Sequence, residues 1–112
     1  MSNIIRIKKN SQFQRLYKKG KNFSAPAFAL YIRRRGDNKL LLGVTVSKKI
    51  GNAVLRNRAK RVLRAAMRDM EKLGLSGYEV ILCARSKTPF VKSTYISKGL
   101  CELLLKNGYL KS

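Results

Sequence analysis

The side chains with chemistry to offer are cationic. Asn57, Lys60, Arg61, Arg64 and Arg68 recur at spacings that place them on one side of an α-helix, and no Asp or Glu interrupts the run from Asn52 to Arg68. A guanidinium grips phosphate through a planar fork of donors and an ammonium does so as a mobile point charge, so this face suits a structured polyphosphate backbone. Solvated helices ordinarily mix acids with bases three or four residues apart, a gain forgone here. Upstream, Lys48-Lys49-Ile50-Gly51-Asn52 enters the helix, and Lys48, Lys49 and Asn52 stand where the amides of a helix start attract anions. Gly51 alone is no phosphate loop of the G-x-x-x-x-G-K-S/T type, which argues against nucleotide hydrolysis. Arg56 and Arg58 flank the helix's apolar stripe and admit two roles, contact with the polyanion or attachment of the helix to neighbouring loops.

A second group is aromatic. Phe13 and Tyr17 lie four residues apart on a short helix beside Leu16, which reads as core. Tyr31 and Arg33 occupy the strand face opposite Phe28, Leu30 and Ile32, and the next strand offers the small Gly43, Thr45 and Ser47. Core packing is one reading of the two helix aromatics. The other is a shallow groove of Phe13, Tyr17, Tyr31, Arg33, Thr45 and Ser47 on which the bases of a single strand could stack.

Catalytic groups are scarce. There is no histidine, and the acids number five, Asp37, Asp69, Glu71, Glu79 and Glu102, spread along the chain. A protein nuclease needs a general base, a carboxylate cluster for metal or an activated nucleophile. Cys83 and Cys101 are widely spaced at apolar positions, without the partners of a zinc site, and read as reduced core thiols.

These side chains require a particular set of elements. Ser11 and Gln14 form a capping box for a first helix that stops at Gly20. Pro26 to Arg33 alternates as a strand, Arg35 to Lys39 has turn chemistry, and Leu40 to Ser47 is a second strand, expected to pair with the first as an antiparallel hairpin. In the second strand Leu42, Val44 and Val46 face the core. The basic helix starts at an Asn52 cap, turns Leu55, Ala59, Val62, Leu63, Ala66 and Met70 inward, and ends before Gly74. Tyr78 to Arg85 is apolar on both faces and so central in the sheet. Ile96, Leu100, Leu103 and Leu104 repeat at helical spacing before Gly108. The expected fold is an α+β sandwich of helices on a mixed sheet, in the order αββαβα with room for a further short strand, filling residues 1–112 as one domain.

With 26 Lys plus Arg against the five acids among 112 residues, the net charge is +21, which favours a polyanionic partner and nucleic acid first. No segment approaches the roughly 18 apolar residues of a membrane span, and the basic helix lacks the Trp or Phe of a membrane-surface helix. Met1 to Lys9 has no export-signal pattern, so a cytoplasmic location is expected.

The run from Ser47 to Arg61, Ser-Lys-Lys-Ile-Gly-Asn-Ala-Val-Leu-Arg-Asn-Arg-Ala-Lys-Arg, closely resembles the signature of the bacterial ribonuclease P protein family. The resemblance extends to the first helix with Phe13 and Tyr17, the Phe28 to Tyr31 strand, the Tyr78 to Arg85 strand ending in Ala-Arg, and the closing helix. It implies a subunit whose partner RNA is the catalyst and uses magnesium to remove the 5′ leader of precursor tRNA. It implies that Arg56, Asn57, Arg58, Lys60, Arg61, Arg64 and Arg68 contact that RNA, that Phe13, Tyr17, Tyr31 and Arg33 line the leader cleft, and that the βαβ crossover around the basic helix is left-handed. Neither a catalytic residue in the protein nor a further protein partner or membrane is expected. Two other classes fit parts of the pattern: a general RNA-architectural protein, which would give no leader dependence, and a self-sufficient protein nuclease, which would cleave without RNA.

Overall fold

The structure, a computed structural model, describes residues 4–7 and 10–110. Among these are strands β1 (Ile4–Arg6), β2 (Lys21–Ser24), β3 (Phe28–Arg34), β4 (Leu40–Thr45) and β5 (Tyr78–Ala84), with helices α1 (Asn10–Lys19), α2 (Ala53–Glu71) and α3 (Ser93–Lys106). Short 3-10 turns occupy Lys48–Ile50 and Thr88–Phe90. The helices and the three longer strands fall where the sequence places them. The two short strands, three and four residues long, flank the sheet.

The sheet order is β1-β4-β5-β3-β2, parallel from β1 through β5 and antiparallel from β5 to β2. The expected hairpin of β3 with β4 is therefore wrong, because β5 runs between them. The Arg35–Lys39 turn spreads around the start of β5: Arg35 N–H donates to the Gly77 carbonyl at 2.7 Å and Gly77 N–H donates to the Lys39 carbonyl at 2.8 Å. Each outer strand thus gives its hydrogen bonds to the incoming strand, and the antiparallel hairpin partner of β3 is β2. The Ser11 capping box also fails. Asn10 is already helical and Ser11 lies in the first turn, since the preceding Ile7 N–H is tied to the Leu42 carbonyl at 2.8 Å and α1 begins three residues later. Part of the Met1 to Lys9 stretch lies outside the described residues.

Strand alternation gives the sheet two buried faces. On one, Leu30, Ile32, Leu42, Val80 and Leu82 pack against α2 and α3 through Leu63, Met67, Met70, Ile96, Leu100 and Leu104. The stripe of α2 includes Met67, four residues after Leu63, while Leu55 and Val62 sit half-buried at its margin. The other face carries the smaller cluster of Ile7, Leu16, Leu41 and Ile81, with Phe13, Tyr17, Tyr31 and Cys83 packed beside it under α1. α2 crosses from β4 to its parallel neighbour β5, and its packing places it on the face opposite α1.

Candidate nucleic-acid interface

Residue chemistry at the start of α2 sets its basic face. Asn52 takes an extended conformation and its Oδ1 accepts the Leu55 N–H at 3.0 Å, closing the first turn as an N-cap. Gly51 has a φ of 140°, and a Cβ there would meet Leu55 Cδ1 at 2.7 Å, so the passage from the Lys48–Ile50 turn into α2 needs glycine. No acid in the first turn offsets the positive end of the helix dipole, and Lys48 and Lys49 stand exposed just ahead of it. Asn57, Lys60, Arg61 and Arg64 ring a shallow hollow on the solvent side, with Arg68 exposed further along. Of the flanking pair, Arg58 is exposed. Arg56 is half-buried, its Nε enclosed without a hydrogen-bond partner among the described residues.

The sheet face under α1 is organised in rows by cross-strand register: Ser24, Ala29, Cys83 and Thr45; then Asn22, Tyr31, Ile81 and Gly43; then Arg33, Glu79 and Leu41. α1 covers part of this face with Leu16, which is fully buried, and with Phe13. Phe13 lies so close to β4 that a Cβ on Gly43 would come within 2.9 Å of its Cε1. The first row, all small side chains, lies beside Tyr17 and Tyr31, whose rings meet edge to face at 4.9 Å and 71°. Burial raises the Tyr17 hydroxyl above its ordinary value of 10.0 while a hydrogen bond with Thr45 opposes the shift. The Cys83 thiol is likewise pushed up by burial, against hydrogen bonds with Thr45 and Tyr17. Both groups stay protonated at neutral pH.

This geometry brings Phe13, Tyr17, Tyr31 and Thr45 onto one side of the sheet, as the sequence reading requires, but corrects their arrangement. Tyr31 and Arg33 do not adjoin Gly43 and Thr45, because Ile81 and Cys83 of β5 stand between them. The floor is three long strands wide. Ser47 lies beyond the end of β4 and is exposed.

Arg33 has a partner that sequence reasoning missed. Glu79, 3% exposed, receives Arg15 Nη2 at 2.7 Å and Arg35 Nη1 at 2.8 Å on the same Oε1, and Arg33 Nη1 lies 3.9 Å from its Oε2. Arg35 also forks onto Asp37, through Nε to Oδ1 at 2.9 Å and Nη2 to Oδ2 at 2.8 Å. That fork, with the Lys39 N–H, holds the Asp37 carboxyl far below the usual carboxylate range and raises Arg35 in turn. The available signal was Glu79 itself, an acid in line with Ile81 and Cys83 on an otherwise apolar strand.

The remaining polar groups serve packing. Asp69 Oδ2 accepts the Ser97 hydroxyl at 2.7 Å and joins α2 to α3. Cys83 and Cys101 are free, as expected, but half-buried and not fully enclosed, Cys83 packed beside the smaller core cluster on the cleft floor and Cys101 on α3. Among the described residues, no three His, Cys, Asp or Glu side chains gather as a metal site, and no helix is long and apolar enough to cross a membrane.

A basic helix capped through Lys48–Asn52 and an aromatic cleft on the opposite sheet face make up the site, and the model of the Ribonuclease P family matches residues 1–107. The chain belongs to the Ribonuclease P family. It is similar to the ribonuclease P protein component of Oceanobacillus iheyensis, 39% identical over all of this chain and 93% of the relative. The ribonuclease P protein component of Listeria monocytogenes is 37% identical, with 99% and 94% covered. Among solved structures, the ribonuclease P protein of Staphylococcus aureus superimposes with a TM-score of 0.77 at 34% identity, covering 95% of this chain and 97% of that one. The ribonuclease P protein of Thermotoga maritima gives 0.75 at 26% identity, with 90% and 96% covered. Membership makes this chain a protein subunit of the ribonuclease P complex, with the same mixed α+β architecture.

Proposed function

We propose that this subunit docks through α2 on the ribonuclease P RNA and holds the 5′ leader of precursor tRNA in the cleft between α1 and the sheet, assisting endonucleolytic 5′ maturation that the RNA catalyses. The observation that carries this reading is the separation of two surfaces by one sheet. The exposed cations of α2 suit a folded phosphate backbone, while Tyr17 and Tyr31 beside a floor of small residues suit unpaired bases. Thr45, Ser47, Lys48, Lys49 and Asn52 follow one another along the chain from the cleft floor to the start of α2, so substrate and RNA subunit are held close together. Asn57, Lys60, Arg61, Arg64 and Arg68 take the RNA backbone, with Arg58 beside them and Arg56 bracing the flank.

The resemblance implies magnesium, and the donor set of the protein does not suit it. Asp37 and Glu79 are bound by arginines, Asp69 by Ser97, and no described cluster of acids offers the several oxygens the ion requires. The reading leaves the ion with the RNA, and the protein's cations lower phosphate repulsion around it. A cytoplasmic location follows from the same reading.

The test is cleavage of a 5′-extended precursor tRNA at low magnesium by RNA alone, protein alone and the two together. Efficient cleavage at the mature 5′ end only by the combination is the expected result. Binding without any effect on cleavage would favour an architectural role, and cleavage by protein alone would make it a nuclease. Arg61→Glu with Arg64→Glu should impair assembly with the RNA, whereas Tyr31→Ala should chiefly erase the preference for precursor over mature tRNA.

A further inference from the structure

Glu79 gathers more positive charge than it can balance. Arg15 from α1, Arg33 and Arg35 from the β3 end converge on it, and with Asp37 included three guanidiniums face two carboxylates. The three are not equally engaged. Arg35 is fixed at both acids and is 22% exposed. Arg15 gives only one nitrogen to Glu79 and is 44% exposed, while Arg33 is 36% exposed and, at 3.9 Å, lies beyond hydrogen-bonding range of Oε2. Oε2 itself has no hydrogen-bond partner among the described residues.

The position is as informative as the charge. Arg33 follows Tyr31 by two residues on the same face of β3, a separation of about 6.6 Å at the rise of a strand. A nucleotide stacked against Tyr31 therefore brings its phosphate near the half-exposed guanidiniums of Arg33 and Arg15. We infer that Arg15 and Arg33 form a phosphodiester subsite for single-stranded RNA, with the buried Glu79 as the positioning residue that holds them together. The inference rests on the reading of the α1 cleft as the leader site.

Glu79 fixes Arg15 through a short charged hydrogen bond to one nitrogen and leaves the side chain partly exposed. It keeps Arg33 close without saturating it. An incoming phosphate supplies the third anion that the three arginines lack, and Arg15 loses little order on binding it, because its guanidinium is already held by Glu79.

Glu79→Gln separates this proposal from simple electrostatics, because it removes a negative charge from an already cationic protein. General charge attraction predicts tighter RNA binding, whereas loss of positioning predicts weaker binding to the leader. In holoenzyme reconstituted with ribonuclease P RNA, Glu79→Gln should weaken leader-bearing precursor tRNA about tenfold and leave mature tRNA unchanged. Arg15→Gln, on an exposed helix surface, covers the case in which Glu79→Gln fails to fold. It should weaken the same substrate and reduce the magnitude of the salt slope of the leader-dependent affinity by about 0.7, the loss of one single-strand phosphate contact. A folded Glu79→Gln that binds leader-bearing substrate as tightly as the parent or more so, or an Arg15→Gln with an unchanged slope, overturns the proposal. Tyr31→Ala tells the two levels apart. If it abolishes leader preference while the other variants do not, only the phosphate subsite is wrong; if it has no effect, the leader reading falls as well.

Discussion

Neutralising Arg61 and Arg64 together tests whether α2 meets RNA as a phosphate-binding face. Apart from Arg58 on the flank, six exposed cations line the helix and the turn ahead of it: Lys48, Lys49, Lys60, Arg61, Arg64 and Arg68. If each neutralises one phosphate of a duplex-like RNA backbone, the slope of log affinity against log salt is about −5.4, and a fourfold rise in salt weakens binding about 1,800-fold. Arg61→Gln with Arg64→Gln leaves four contacts, a slope of about −3.6 and a loss of about 150-fold over the same change. Both residues are exposed around the α2 hollow and neither enters an ion pair among the described residues, so the fold has little stake in them. The assay is equilibrium binding of the ribonuclease P RNA across that salt range, with thermal unfolding as the check on folding. A folded double variant whose slope matches the parent would refute the assignment of these two arginines to phosphates, whatever its affinity at one salt concentration.

Three further outcomes follow from local geometry. Gly43→Ala puts a methyl group within 2.9 Å of Phe13 and should cost about 1–3 kcal/mol in denaturant unfolding, with weaker leader binding as Phe13 is displaced. Asn52→Ala removes the acceptor of the Leu55 N–H and should cost about 1 kcal/mol, measured by the shift in denaturation midpoint. The Tyr17 hydroxyl has its pKa raised above 10.0, chiefly by burial, so its contribution to folding is complete below pH 10 and is lost as pH rises through the raised value. Leader affinity should accordingly show no step from Tyr17 between about pH 7 and 9, and phenolate absorbance in a protein with Tyr17→Phe should lose part of its late-titrating component, the rest coming from Tyr109, whose hydroxyl is also raised by burial.

The strongly periodic elements were legible because each announces its own face. Leu63, Ala66 and Met70 against Arg61, Arg64 and Arg68 define α2 from spacing alone, and Asn52 caps it as a polar residue ahead of an apolar run should. Strand pairing was not legible from neighbouring residues, because the Arg35–Lys39 turn satisfies the local rules for a hairpin and nothing within it reveals a strand arriving some forty residues later. The decisive clue was in β5. A strand apolar on both faces must have a neighbour on each side, and β3 and β4 are the two long strands that can provide them. The short β1 and β2 carry too few residues for periodicity to register. The aromatic members of the cleft could be read from alternation, but the Glu79 cluster could not, since it joins residues 15, 33, 35 and 79 through the packing of α1 on the sheet.

The late arrival of the central strand also sets an order of events during synthesis. Until Ala84 has left the ribosome, β3 and β4 have no strand to join them, and the edges that later meet in the middle of the sheet are both open. By then the whole of α2 has emerged, with its cations uncompensated and the sheet it must pack on still incomplete. Long-range insertion of this kind is slow relative to helix formation. A nascent chain therefore displays the cationic face of α2 before it has a finished core, and a message truncated anywhere before the codon for Tyr78 encodes a product whose strands cannot form this sheet.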